Sequence, residues 1–184
     1  MIRQAFALAL GATMALATVA EAHGPPRLKT EMKVVLDATP AEVWEVVGHF
    51  DDMTWHPVVA ATQMQPEGAP ADIPEQSTRV LTLAGDGDAT ITEMLTGLDQ
   101  DKRMLRYIIT EVDVAVLPVT NYSSTLQVND HDGKAELVWR AGYYRGFPNN
   151  DPPADQNDET AIAAVEGVYQ AGFDALAERF GRVE

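Results

Sequence analysis

Residues 158–180 read DETAIAAVEGVYQAGFDALAERF, and this stretch decides the fold. Ile162, Val165, Tyr169, Phe173, Leu176 and Phe180 step by three or four residues, which sets them on one face of an α-helix. Asp158 is placed to cap its start and Gly181 to stop it. An apolar stripe about five turns long needs a surface of matching length to cover it. The residues before it supply that surface.

From Val58 to Gly146 the pattern is one of strands and turns. Val58 to Gln65 reads as a strand and Pro66 to Pro74 as a loop. Ser77 to Ala84 and Ala89 to Leu98 form a hairpin around Gly85-Asp86-Gly87-Asp88. Arg103 to Val112 is a further strand. Tyr122 to Val128 and Ala135 to Arg145 make a second hairpin across Asp130-His131-Asp132-Gly133. A polar, Pro-rich connection from Phe147 to Asn157 then leads to the closing helix.

Upstream, Leu28 to Asp37 alternates as a first strand, with Met32, Val34 and Leu36 on one face. Thr39-Pro40 followed by Glu42 is a capping box with Pro in the first turn, and Val43, Val46, Val47 and Phe50 continue at helical spacing. Pro57 leaves room for only a short second helix after Asp51-Asp52. The order is therefore strand, two short helices, five or six further strands and a long helix. This is the α+β order of the helix-grip fold: a curved antiparallel sheet of six or seven strands wrapped around a long C-terminal helix, often over a cavity.

The first residues carry a different message. Arg3, the apolar run from Ala5 to Ala20 and the A-x-A site Ala20-Glu21-Ala22 read as a secretory signal, 1–22, cleaved after Ala22. That leaves residues 23–184 as a single domain, and the periplasm as its expected location. The formal net charge of −15 makes nucleic acid and anionic membrane surfaces poor partners, and no span of a membrane is expected after cleavage. The chain has no cysteine, which excludes disulfides, zinc–thiolate sites and covalent c-type haem. It has no P-loop, nucleophile elbow or dinucleotide motif, and no cofactor or metal is expected.

The stretch Thr-Pro-Ala-Glu-Val-Trp-Glu-Val-Val from Thr39, with Phe50-Asp51-Asp52-Met53 and Trp55-His56-Pro57-Val58, resembles the opening of the SRPBCC (START-like, polyketide-cyclase-like) superfamily. More narrowly, His23-Gly24-Pro25, Trp55-His56-Pro57, Arg79-Val80-Leu81-Thr82-Leu83, Leu117-Pro118-Val119-Thr120-Asn121-Tyr122 and Gly167-Val168-Tyr169-Gln170-Ala171-Gly172 are similar to the MxaD family of periplasmic methanol-oxidation accessory proteins. That resemblance implies a non-catalytic role beside a quinoprotein dehydrogenase and its cytochrome c acceptor. It implies no catalytic residue. Pro66 to Pro74 and the acidic loop Asn149 to Asp158 are where a partner surface would be particular to this chain.

Several residues carry chemistry of their own. A five-residue loop pairs Leu81 with Ile91 and sets Arg79 opposite Glu93, an inward ion pair that serves either as a polar anchor for a ligand or as a structural pair. Tyr107, Tyr122, Trp139 and Tyr143 alternate inward and suit either a pocket for a small apolar ligand or a filled core. His56 sits at a corner where a base would need Asp51, Asp52 or Glu93 as partner. His23 as a mature amino terminus could bind copper with a second His from His49, His56 or His131, none of which lies in a ligand motif. Asp151 to Asp158 lacks the spacing of a calcium loop and reads as capping and solvated charge. The cavity candidates are Trp55, His56, Arg79, Leu81, Glu93, Tyr107, Tyr122, Trp139, Tyr143 and Tyr169.

Overall fold

The computed structural model describes residues 24–85, 87 and 89–183. Residues 1–22, which the sequence reads as a secretory signal, His23 with its copper reading, and Asp86 and Asp88 of the first hairpin turn lie outside the described residues. Seven strands form one antiparallel sheet: β1 (Leu28–Leu36), β2 (Val59–Gln65), β3 (Thr78–Leu83), β4 (Thr90–Asp99), β5 (Met104–Val112), β6 (Val119–His131) and β7 (Lys134–Arg145). Their order across the sheet is β1-β7-β6-β5-β4-β3-β2. Helix α1 (Pro40–Val47) follows β1, and α2 (Asp158–Phe180) closes the chain across β1 and β7. The helix-grip arrangement read from the sequence is the one observed.

The local chemistry explains the boundaries. Thr39 and Glu42 form the expected capping box, the Thr39 hydroxyl accepting from the Glu42 amide and the Glu42 carboxylate accepting from the Thr39 amide. The second short helix is absent. Asp52 Oδ1 takes the Thr54 amide at 2.8 Å, and the His56 and Val59 amides bond three residues back to Met53 and His56. The side chain competes with the helical ladder and turns the chain instead. The N-cap of α2 is Asn157, not Asp158, because Asn157 Oδ1 reaches the Thr160 amide at 2.8 Å. Strand β6 is longer at both ends than its apolar pattern, and its hairpin closes on Asp132-Gly133 alone, with φ of 54° and 81°.

Register shifts at Val59/Ala61, Thr92/Glu93, Leu95/Gly97 and Thr120/Ser123 bend the sheet around α2. Val165, Tyr169, Phe173 and Leu176 from α2 meet Leu95, Leu105, Tyr107, Leu126, Leu137 and Trp139 on the concave face, all buried.

The convex face is polar. Arg27, Lys29, Arg106 and Arg140 line a shallow groove there in which Glu31 is the one carboxylate. Two glycines let arginines lie flat. A Cβ on Gly97 would stand 2.7 Å from Arg106 Nε, and one on Gly142 would stand 2.9 Å from Arg27 Nε. Arg27 is pinned by the Gly142 carbonyl at 2.8 Å and Ser123 Oγ at 2.9 Å.

Candidate functional site

A cavity of about 230 Å³ lies between α2 and the concave face. Seven of the ten residues nominated from the sequence line it: His56, Leu81, Glu93, Tyr107, Tyr122, Trp139 and Tyr169. Ile91, Ile109, Leu117, Val165 and Val168 extend an apolar wall that the nomination missed, although strand and helix periodicity aims Ile91, Ile109 and Val165 inward; Leu117 lies in the turn before β6, where no such signal exists. Val58 and Val116 line its outer end and are the more exposed, at 36% and 37%; they come from the turns before β2 and before β6.

Three nominated residues stand elsewhere. Arg79 and Trp55 border a separate void of about 10 Å³, too small for a ligand. Trp55 packs edge-on to His56 and tilts against Trp139. Tyr143 lies behind the cavity wall, where its hydroxyl bonds Thr30 Oγ1 at 2.7 Å and its ring stacks on Tyr122.

The Arg79–Glu93 pair forms in the expected register. Both residues are buried, and Arg79 Nε and Nη2 approach Glu93 Oε2 at 2.7 and 2.6 Å. Arg79 is further held by the Phe50 carbonyl at 2.9 Å, by Met53 Sδ and by the Phe50 ring beneath it. Burial pushes the Glu93 pKa above its ordinary 4.5, and the adjacent guanidinium opposes that rise. Arg79 is thus the positioning partner, and Glu93 is the member that reaches the cavity.

His56 is fully buried and bound on both nitrogens to backbone: Nε2 donates to the Val168 carbonyl at 2.9 Å, and Nδ1 accepts the Val58 amide at 3.3 Å. Burial lowers its pKa below 6.5, while the bond to Val168 works the other way. Asp51 and Asp52 are exposed, and no carboxylate among the described residues bonds the ring. The general-base arrangement considered from the sequence is not present; His56 joins the turn before β2 to α2. Among the described residues no three His, Asp or Glu side chains converge as a metal site, and His49 and His131 are exposed.

The polar wall is organised around Ser124, which no nomination included. It follows the inward alternation Tyr122, Ser124, Leu126, so the signal was present. Its hydroxyl donates to the Arg140 carbonyl at 3.1 Å. It therefore accepts from Trp139 Nε1 at 3.0 Å and from the Tyr169 hydroxyl at 3.2 Å. Tyr169, its proton spent, accepts from the Tyr122 hydroxyl at 2.8 Å. Trp139 Nε1 also reaches the Tyr107 oxygen at 3.2 Å, and the Trp139 and Tyr169 rings stack at 4.3 Å. Burial, followed by the charge of Glu93, pushes the Tyr107 pKa up to about 12; burial raises Tyr122 and Tyr169 well above 10. All these phenols are neutral donors at physiological pH.

A long helix gripped by a seven-stranded antiparallel sheet over an apolar cavity defines a helix-grip protein of the ligand-cavity type. The chain belongs to the polyketide cyclase / dehydrase and lipid transport family, whose model matches residues 27–181. Among solved structures it is similar to an uncharacterised protein from Bacillus thuringiensis, at 26% identity and TM-score 0.63, over 84% of this chain and 98% of that one. The protein XoxI from Bacillus cereus is 25% identical with TM-score 0.63, over 84% and 94%. Ara h 8.0201, 17% identical with TM-score 0.63 over 84% and 97%, shares the fold. No curated protein matches the chain. The broader resemblance read from Thr39 to Val58 is thereby established. No helix among the described residues is long and apolar enough to cross a membrane.

Proposed function

We propose that the protein binds one small, largely apolar molecule in the cavity beneath α2. The carrying observation is the cavity, which stays open although the surrounding core is tightly filled. An apolar cavity of about 150 Å³ takes benzene, so about 230 Å³ suits an occupant of about nine heavy atoms. That is below the ~300–1,000 Å³ of sites for drug-sized ligands. The family's description, with its lipid transport and cyclase members, supports the same reading.

The test is a titration of the protein with ethylbenzene followed by methyl NMR. Shifts confined to methyls of the cavity wall, Leu81, Ile91, Ile109, Leu117, Val165 and Val168 among them, and abolished by the cavity-filling Val165→Phe, are expected. No shift of these methyls up to the solubility limit overturns the proposal.

A second reading rests on the resemblance of residues 23–180 to the MxaD family and on the net charge of −15, which suits a basic partner. In it the exported protein assists electron transfer from a quinoprotein dehydrogenase to cytochrome c. Stopped-flow reduction of the cytochrome across a salt series tests it. Stimulation that fades with salt supports it, and an unchanged rate at low salt sinks it.

A further inference from the structure

We infer that the cavity's occupant carries a hydroxyl group, received jointly by Tyr107 and Glu93. The inference rests on the cavity-binding reading above and adds the chemical class of the ligand.

Hydrogen-bond accounting carries the argument. The protons of Ser124, Tyr169 and Tyr122 are spent in one directed chain that ends on the Arg140 carbonyl. Tyr107 differs. Its oxygen accepts from Trp139, and its own proton goes to no described residue. Glu93 shows the converse. Both contacts from Arg79 fall on Oε2, and Oε1 receives no hydrogen bond from a described residue. No buried side-chain polar atom among the described residues is sealed away without a partner, so Oε1 is not enclosed by protein. Glu93 and Tyr107 both line the cavity.

The sheet puts these two groups side by side. Tyr107 pairs with Leu95 and Ile109 with Glu93, so Tyr107 and Glu93 are diagonal neighbours on the concave face of β4 and β5. The cavity thus offers an unspent donor beside an unspent anionic acceptor, in an otherwise apolar wall.

An O–H group is complementary to that pair: its oxygen accepts from Tyr107 and its proton goes to Glu93. A ketone or an ether accepts only and leaves Glu93 unanswered. A carboxylate sets its charge against that of Glu93. An ammonium donates only and leaves the Tyr107 proton unused. With room for about nine heavy atoms, the fitting class is a small phenol or a short aryl or alkyl alcohol.

The experiment compares ethylbenzene, 4-ethylphenol and 4-ethylanisole on the intact mature protein by calorimetry at neutral pH. The expected result is 4-ethylphenol binding about tenfold more tightly than either of the others, the effect of one charge-assisted hydrogen bond. Tyr107→Phe should shrink the ratio of 4-ethylphenol to ethylbenzene affinity severalfold, both ligands being compared on the same variant. Equal binding of 4-ethylphenol and ethylbenzene overturns the hydroxyl assignment while the cavity reading stands. Binding of none of the three overturns both. The comparison on the unaltered protein decides the matter even if the variant folds poorly.

Discussion

His56 Nε2 donates to the Val168 carbonyl 2.9 Å away, and Gly172, four residues further along α2, is the residue that lets the ring approach. A Cβ on Gly172 would stand 2.7 Å from His56 Cδ2 and 3.2 Å from the Trp139 ring. Neither ring is at liberty to move, since both are buried and hydrogen-bonded.

Glycine substitutions on α2 should therefore diverge in sign. Gly172→Ala is expected to destabilise by about 1–3 kcal/mol through overpacking, outweighing its better helix propensity. Gly167 is exposed with open space at its Cβ, and Gly167→Ala is expected to stabilise by up to ~1 kcal/mol. Urea denaturation of both variants measures the contrast.

Removing Arg79 alone should be severe. Arg79→Ala strands the Glu93 carboxylate among apolar groups, with an expected loss of ~3–5 kcal/mol. Replacing both members, as Arg79→Met with Glu93→Leu, should recover most of it. In the single variant the Glu93 pKa rises further, so the deficit is largest at neutral pH and shrinks on acidification, as the folded state takes up the proton. Denaturation midpoints across a pH series read both effects.

The pH dependence from His56 has the opposite direction. Its folded pKa lies below 6.5, so its contribution is complete above that value. Stability falls as pH drops below 6.5, where the unfolded chain protonates first. His56→Gln should flatten this part of the stability profile, and thermal melts at intervals from neutral to acidic pH would show whether it does.

Loss of Trp139 should be felt through both packing and polarity. Trp139→Ala is expected to cost ~3–5 kcal/mol, and Trp139→Phe less, since it keeps the stacking on Tyr169 but leaves Ser124 and Tyr107 without their indole donor. Guanidinium denaturation distinguishes the two. A Trp139→Phe variant as stable as the unaltered protein would show that the indole N–H contributes nothing, and equal losses in the two variants would show that the retained ring does not.

The extent to which the sequence anticipates this structure follows from how local each determinant is. The pairing of Arg79 with Glu93 was legible because two-residue alternation and a short loop fix a hairpin's register. The capping box at Thr39 was legible for the same reason, its whole mechanism spanning four residues. The missing second helix was not, because Asp52 and Thr54 satisfy each other in a way that competes with helix. The role of His56 was out of reach: its partners are backbone groups of Val58 and Val168, and a carbonyl leaves no mark in a sequence. Ser124 and Tyr107 illustrate the middle case. Alternation aims them inward, but which hydroxyl keeps a free proton depends on contacts among four strands and α2.

The two glycines under Arg27 and Arg106 carry a consequence beyond packing. By letting guanidinium groups lie against the outer sheet, they gather cations onto one side of a molecule that is anionic as a whole, and everything else is more acidic than the net figure conveys. The molecule is electrically lopsided. A charged body approaching it feels a torque as well as a push, and the protein arrives already turned.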